Sequence, residues 1–300
     1  MKTISKESVY FEFNAGIPPV ETAASGEEIC FCCQDCYAEQ ITEDGIDFAT
    51  LDMHRNNPVT GPLYIEGAEP GDVLRLEIRN ISIEDHGVMC IREKGGIYDV
   101  AGYHCRRFHI REGKVVFDGG ILLPVRPMIG VIGTAPSGEA VSTQSPGEHG
   151  GNLDIREIGE GSVVYLPVNV KGALLSIGDL HAVQGDGESA ICGMEVSGSV
   201  TVRVQVVKGP AQIPTPFVVT DSSCYTTASA TSLDECSVAA AQKMHRYLQQ
   251  VGQITSAQAA MLLSMVGNLR ISQVVNPQKG CMMEFPLSVL REISKEPWED

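Results

Sequence analysis

The chain has 300 residues, 43% apolar and 20% charged, with 31 glycines and 16 prolines, enough for a large core built from short strands and many turns. A net charge of −16 repels phosphate backbones and anionic lipid, which excludes nucleic acid and membrane surfaces as partners. The opening residues MKTISKESVYFEF lack a signal-peptide apolar stretch, and no apolar run reaches the ~18 residues of a membrane span. A cytoplasmic location is therefore expected, with the ten cysteines as free thiols rather than disulfides.

Residues 9–13 alternate apolar and acidic side chains and predict a first strand, ended by a turn at 14–19. Residues 28–38 predict a second, carrying Cys30, Cys32, Cys33 and Cys36. A single Cys33-x-x-Cys36 pair with no second pair downstream is a weak zinc signal, and small residues on a strand account for it. Asp52 and His54 follow in a stretch that Pro58, Gly61 and Pro62 stiffen. Two readings are open: Asp52 caps a turn beside an exposed His54, or the pair offers metal ligands. The alternation in 73–83 predicts a strand, and 63–65 begins another. Residues 84–108, with His86, His104 and Gly95-Gly96, predict a long loop or lid. Residues 114–117 and 120–125 predict a hairpin around Asp118-Gly119, and 128–136 a short buried strand.

The glycine-rich stretch Ser145–Asp154 could bring backbone close to a ligand, with Asn152 as an amide donor. It lacks the strand-to-helix context of a phosphate fingerprint. Strands at 161–167 and 172–177 lead into Ile177-Gly-Asp-Leu-His-Ala-Val-Gln-Gly-Asp-Gly-Glu188. On a strand, Asp179 and His181 would share one face with alpha carbons roughly 6.6–7 Å apart, close enough to serve one metal or one substrate. The alternative is a polar turn. Strands at 190–196 and 200–207 follow. Beyond Gly209-Pro210 the pattern turns helical: a Ser232–Glu235 capping box starts a helix over 233–251, and Thr255 or Ser256 starts another ending at 266. Met244, Met261 and Met265 sit at helical core spacing. Strands at 269–275 and 282–285 and a short helix from Pro286 complete the chain. The fold class expected is mainly β with a C-terminal α+β part, divided into a β-rich catalytic body (1–209) and an α+β domain (210–300).

Five motifs stand in order: Asp52-x-His54 with Pro58-Val-Thr-Gly-Pro62; Glu66-Gly-Ala-Glu-Pro-Gly-Asp72; Pro146-Gly-x-His-Gly-Gly-Asn-x-Asp154; Tyr165-Leu-Pro-Val168; and Gly178-Asp-Leu-His-Ala-x-Gln-Gly-Asp-Gly-Glu188. Together they resemble the acetamidase/formamidase family, over about Pro18 to Val289. The Cys-rich segment and the 84–108 stretch lie outside that pattern. The resemblance implies sandwich-like and barrel-like β units and hydrolysis of a small amide to carboxylate and ammonia, with a bound divalent metal.

Amide hydrolysis needs an activated water, a stabilised oxyanion and a proton for the leaving amine. Asp52, His54 and Asp179 are the expected metal ligands, with His181 as a fourth ligand or close neighbour. Glu188 is the expected proton shuttle. Asn152 or the Gly150-Gly151 backbone would polarise the carbonyl, and His149 and Asp154 would support the ligands. Zinc is the expected metal. The alternating oxygens of Gln184, Asp186 and Glu188 also suit a structural calcium, and a homodimer is the expected assembly. Two non-catalytic readings, a metabolite-binding β module and a calcium-stabilised structural protein, would give no ammonia from any amide.

Overall fold

The structure is a computed structural model that describes residues 1–209 and 213–294. Two large sheets dominate it. The first has nine strands, in the order Lys2–Ile4, Glu28–Cys33, Gly198–Val207, Val73–Ile83, Val163–Pro167, Phe217–Val219, Ser223–Ala230, Lys279–Pro286 and Asn268–Gln273. The second is built around Leu175–Val183, which pairs with Met128–Gly133, Val59–Ile65 and Met194–Glu195. One apolar core draws Phe31, Leu76 and Val202 from the first sheet and Leu63, Ile129 and Ile177 from the second. Alternation explains this stacking: in Val73–Ile83, Leu74, Leu76 and Ile78 are buried while the residues between them are less so.

Helices cover the other end of the nine-stranded sheet. α1 (Leu233–Gly252) starts where Ser232 accepts from the Glu235 N–H, and α2 (Ser256–Val266) starts at a full capping box between Thr255 and Gln258. α3 (Leu287–Ile293) closes the described chain. Their core includes Cys236, Met244, Tyr247 and Phe285, and it also takes Val73 and Tyr165 from the N-terminal part. The division expected at 209/210 thus falls between strands of one sheet, because Phe217–Val219 pairs with Val163–Pro167; Pro210 itself lies outside the described residues. Among the described residues no helix is long and apolar enough to cross a membrane.

Three expectations are corrected. Residues 84–108 are not a lid: His86–Arg92 and Tyr103–Arg111 form a hairpin paired from His86↔His109 to Arg92↔Tyr103. His, Arg and Cys carry little strand signal by type, yet Val88, Cys90 and Cys105 turn inward. Cys90 and Cys105 stand opposite each other there and form a disulfide, so not every cysteine is a free thiol. Met244 is buried as expected, but Met261 and Met265 are 62% and 71% exposed, because α2 buries only Ala259 and Leu263.

Candidate active site

The Gly178–Glu188 stretch is not a polar turn. Its first half lies within Leu175–Val183, a strand buried over nearly its whole length. Asp179 and His181 are 3% and 0% exposed and do share a face, with His181 Nε2 3.5 Å from Asp179 Oδ1. Across the sheet, Glu195 pairs with His181 and brings its Oε1 to 2.9 Å from the same Nε2. Asp154 and Glu188 join from flanking loops, both buried. Ligand atoms of Asp154, His181 and Glu188 lie within 4.8 Å of one another, and so do those of Cys36, Asp179 and Glu195.

Local backbone geometry makes this crowding possible. Asp154, Asp179 and Glu188 adopt left-handed conformations, with φ of 47°, 57° and 42°, a strain of about 1–3 kcal/mol at each such position that clusters at functional sites. Gly130, on the neighbouring strand, leaves the space: a Cβ there would stand 2.6 Å from Asp179 Oδ2 and 2.7 Å from Asp154 Oδ1. Gly193 does the same for the His181 ring, 2.7 Å from Nδ1.

Hydrogen bonds fix the orientation of each group. Gln184 Oε1 lies 2.6 Å from His181 Nδ1, so the ring donates there and its Nε2 edge faces carboxylates. Gln184 Nε2 donates to the Asp154 carbonyl at 2.8 Å. The Gly193 N–H donates to Glu188 Oε1 at 3.2 Å. Asn276 Nδ2 donates to Asp154 Oδ2 at 2.6 Å. In the orientation that pairs donors with acceptors, Asn152 Nδ2 faces Asp154 (3.1 and 3.2 Å) and Asp179 (3.2 Å), while its oxygen accepts from Asn57 and Asn276. Among the described residues, Glu188 Oε2 and Glu195 Oε2 are buried without a hydrogen-bond partner.

The electrostatics follow. Burial and then the Asp179 charge push Asp154 up to about 7. Burial, with Asp154 adding to it, raises Glu188 well above the carboxylate range. Burial also raises Glu195, against the pull of His181. For His181, burial alone would lower the pKa, but Glu195 and Asp179 outweigh it and hold the ring well above its usual value. A nest of acids in low dielectric with too few cations to neutralise it is the composition of a cation site.

The other expected residues lie elsewhere. Asp52 and His54 are exposed around the 3-10 turn Met53–Arg55, where the Asp52 carboxylate accepts from the His54 N–H at 3.0 Å; Asp52 is a cap, and neither residue belongs to the acid nest. Gly150 and Gly151 form the strand Gly150–Asn152, held between Met128–Gly133 and Pro146–Gly147, so their backbone serves the sheet. Gln184, Asp186 and Glu188 do not converge as a calcium site: Gln184 bonds His181, whereas Asp186 is ion-paired to Arg270 at 2.7 Å. Glu195 and Asn276 are not among the expected residues, and Cys36 enters the sequence only through the weak Cys33-x-x-Cys36 zinc signal; Glu195 carries one of its own, as an acid inside a buried apolar run.

His149 is also buried, but it packs edge-on to Phe13 at 5.0 Å, and burial lowers its pKa to about 4. The unfolded chain, with an ordinary His pKa, takes up the proton first. His149 therefore costs no stability above pH ~6.5, and stability drains as pH falls toward 4. Between pH 7 and pH 5 the wild type is expected to lose about 2 kcal/mol more than His149→Gln. Urea unfolding at the two pH values checks this; parallel losses would show that the ring titrates normally.

A cavity of about 320 Å³ opens on the nest, lined on its polar side by Asn152, Asp179, Glu188, Glu195 and Asn276. The model of the Acetamidase/Formamidase family matches residues 2–143 and 137–292. A solved acetamidase from Bacillus halodurans is 41% identical with a TM-score of 0.95, covering 97% of this chain and 99% of its own. A solved protein from Thermoanaerobacter tengcongensis, named a predicted acetamidase/formamidase, is 38% identical with a TM-score of 0.94 and covers 97% of both chains. The formamidase of Methylophilus methylotrophus is 27% identical over 261 residues, 67% of this chain. The chain spans 64% of the length of the curated relatives it matches.

Proposed function

Starting from the fact that this chain belongs to the Acetamidase/Formamidase family, we propose that it hydrolyses a linear amide to carboxylate and ammonia at the buried acid nest. The observation that carries the reading is the convergence of Asp154, Asp179, His181, Glu188 and Glu195 beside one cavity. No such cluster is needed to stabilise a β fold, and unpaired buried charge destabilises one.

The nest fits a divalent cation. His181 has its Nδ1 proton committed to Gln184 and its Nε2 directed at Asp179 and Glu195, an arrangement that repels unless a proton or a cation stands between. Asp154 and His181 would hold such an ion, with Cys36, Asp179 and Glu195 as the adjoining donor group, which leaves Glu188 beside it for proton transfer. A thiol with imidazole and carboxylates favours zinc over calcium, which takes oxygen alone. A bound zinc supplies Lewis-acid polarisation and a water whose pKa falls from about 15.7 toward ~7.

The chain's own residues do the rest. Glu188 is anchored through Oε1 by the Gly193 N–H, which leaves the buried Oε2 to take the proton of the attacking water and return it to the leaving nitrogen. Asn152 holds the carboxyl groups of Asp154 and Asp179 in place, so its role is to position them rather than to polarise the carbonyl. The buried walls exclude bulk water from the exchange.

The test is ammonia release from a panel of linear amides by metal-analysed protein, before and after chelation. Turnover that chelator abolishes and zinc restores is expected; metal-replete protein inert on every amide would overturn the reading. Replacing the metal with cobalt adds a spectroscopic check: a thiolate charge-transfer band is expected, and Cys36→Ser should remove it. A cobalt protein without that band would exclude Cys36 from the metal.

A further inference from the structure

Formamide and acetamide have about three or four heavy atoms, whereas the cavity of about 320 Å³ has room for roughly ten waters at ~30 Å³ each. Its lining is also of two kinds. Beyond the acids and amides lie Tyr37, Phe48, Met53, Ile191, Val275 and Pro277. The aromatic part is built: Phe48 stacks on Tyr103 at 5.2 Å and 15°, and Tyr37 meets Phe48 edge-on at 6.4 Å. A site for the smallest amides needs no such wall, because an apolar surface there would contact only water.

Among the described residues, Arg92 is the cationic side chain of the lining, at the end of the hairpin, opposite Tyr103 in register. Arg92 is exposed, with its Cγ lying over Gly95. A Cβ on Gly95 would stand 2.7 Å from Arg92 Cγ and 2.8 Å from Ile191 Cδ1, and the Ile97 N–H donates to the Ser189 carbonyl at 3.0 Å. This clamps the hairpin tip onto the loop that follows Glu188. In a chain of net charge −16, Arg106, Arg126, Arg156 and Arg270 are paired with carboxylates, whereas Arg55, Arg107, Arg111 and Arg246 are not, and none of these eight lines the cavity. Among the described residues, the Arg92 guanidinium has no carboxylate partner. An uncommitted guanidinium at the rim of a pocket is suited to bidentate capture of a carboxylate.

We propose that the substrate is an amide larger than acetamide, with a flat or apolar body that lies on the Tyr37–Phe48 wall and an anionic group that Arg92 receives. The inference rests on the amide-hydrolase reading above and names the substrate class of the same site. Roughly ten to twelve heavy atoms fill the space, at the lower end of the ≈300–1,000 Å³ range of ligand sites. The carboxamide then lies at the acids and the charge at Arg92, so the negative group meets a cation rather than the nest.

The experiment compares kcat/KM for acetamide, benzamide and 4-carbamoylbenzoate on the metal-loaded protein. Benzamide is expected to exceed acetamide by at least ~10-fold, and the carboxylate to add at least ~5-fold more. In Arg92→Ala the ratio of 4-carbamoylbenzoate to benzamide should fall to about one, chiefly through KM, with partial recovery in Arg92→Lys. Turnover of acetamide equal to or better than that of the larger amides overturns this inference alone, as does an unchanged ratio in Arg92→Ala. No turnover of any amide overturns the reading it rests on, and this inference with it.

Discussion

Asp179→Ala is expected to lose bound metal and to fall at least ~10³-fold in kcat/KM. Asp179 is placed against His181, under Asn152 and over Gly130, and it lies with Cys36 and Glu195 as a potential ligand. Its removal leaves the Asn152 amide without one acceptor and His181 with one fewer counter-charge. Because a raised pKa in part reflects mutual repulsion, removing the acid should also relax Asp154 and Glu195, so the variant should fold. Metal analysis and ammonia release measure the outcome. Wild-type metal content with wild-type activity would remove Asp179 from the site. The matched control is Asp52→Ala, which removes only a turn cap and should leave both measurements within about twofold.

The second large effect is expected from a single methyl group. In Gly130→Ala the new Cβ would stand 2.6 Å from Asp179 Oδ2, 2.7 Å from Asp154 Oδ1 and 2.9 Å from the Asp179 carbonyl oxygen. The carbonyl belongs to a buried strand and cannot retreat, so the carboxylates must move apart. Overpacking of this kind costs about 1–3 kcal/mol in stability. Displacing two acidic groups by tenths of an ångström from a preorganised site should lower kcat/KM by at least ~100-fold. Chemical denaturation and metal titration separate the two effects; native metal affinity and activity in Gly130→Ala would show that Asp154 and Asp179 do not form one site.

Much of this architecture was legible in the sequence. The alternation in 73–83 marked a strand that the structure places at Val73–Ile83, and the capping signals at Ser232 and Thr255 marked both long helices, since caps are local chemistry. The spacing of Asp179 and His181 revealed a shared face because side-chain period on a strand is fixed. Convergence was not legible. Asp52-x-His54 has the same spacing as Asp179-x-His181, yet one is an exposed turn and the other a buried strand, and spacing alone does not distinguish them. Glu195 enters through register with His181 and Asn276 through a loop from the far end of the chain; register and loop closure are properties of the whole fold. The 84–108 stretch failed for a different reason: its strand signal lies in which side chains turn inward rather than in residue type.

The segment from Asn268 to Asn276 carries a consequence for how the chain is made. It forms the edge strand of the nine-stranded sheet, bonds the Glu188 loop through Gly187 to Ser272 and Val274, and places Asn276 on Asp154 across 122 residues of sequence. A ribosome therefore delivers every acid of the nest well before the residue that ties Asp154 in place. Until the last strands dock, Asp154 lacks the Asn276 bond that orients it. Fragments cut short by premature termination would keep the acids and lack the tie.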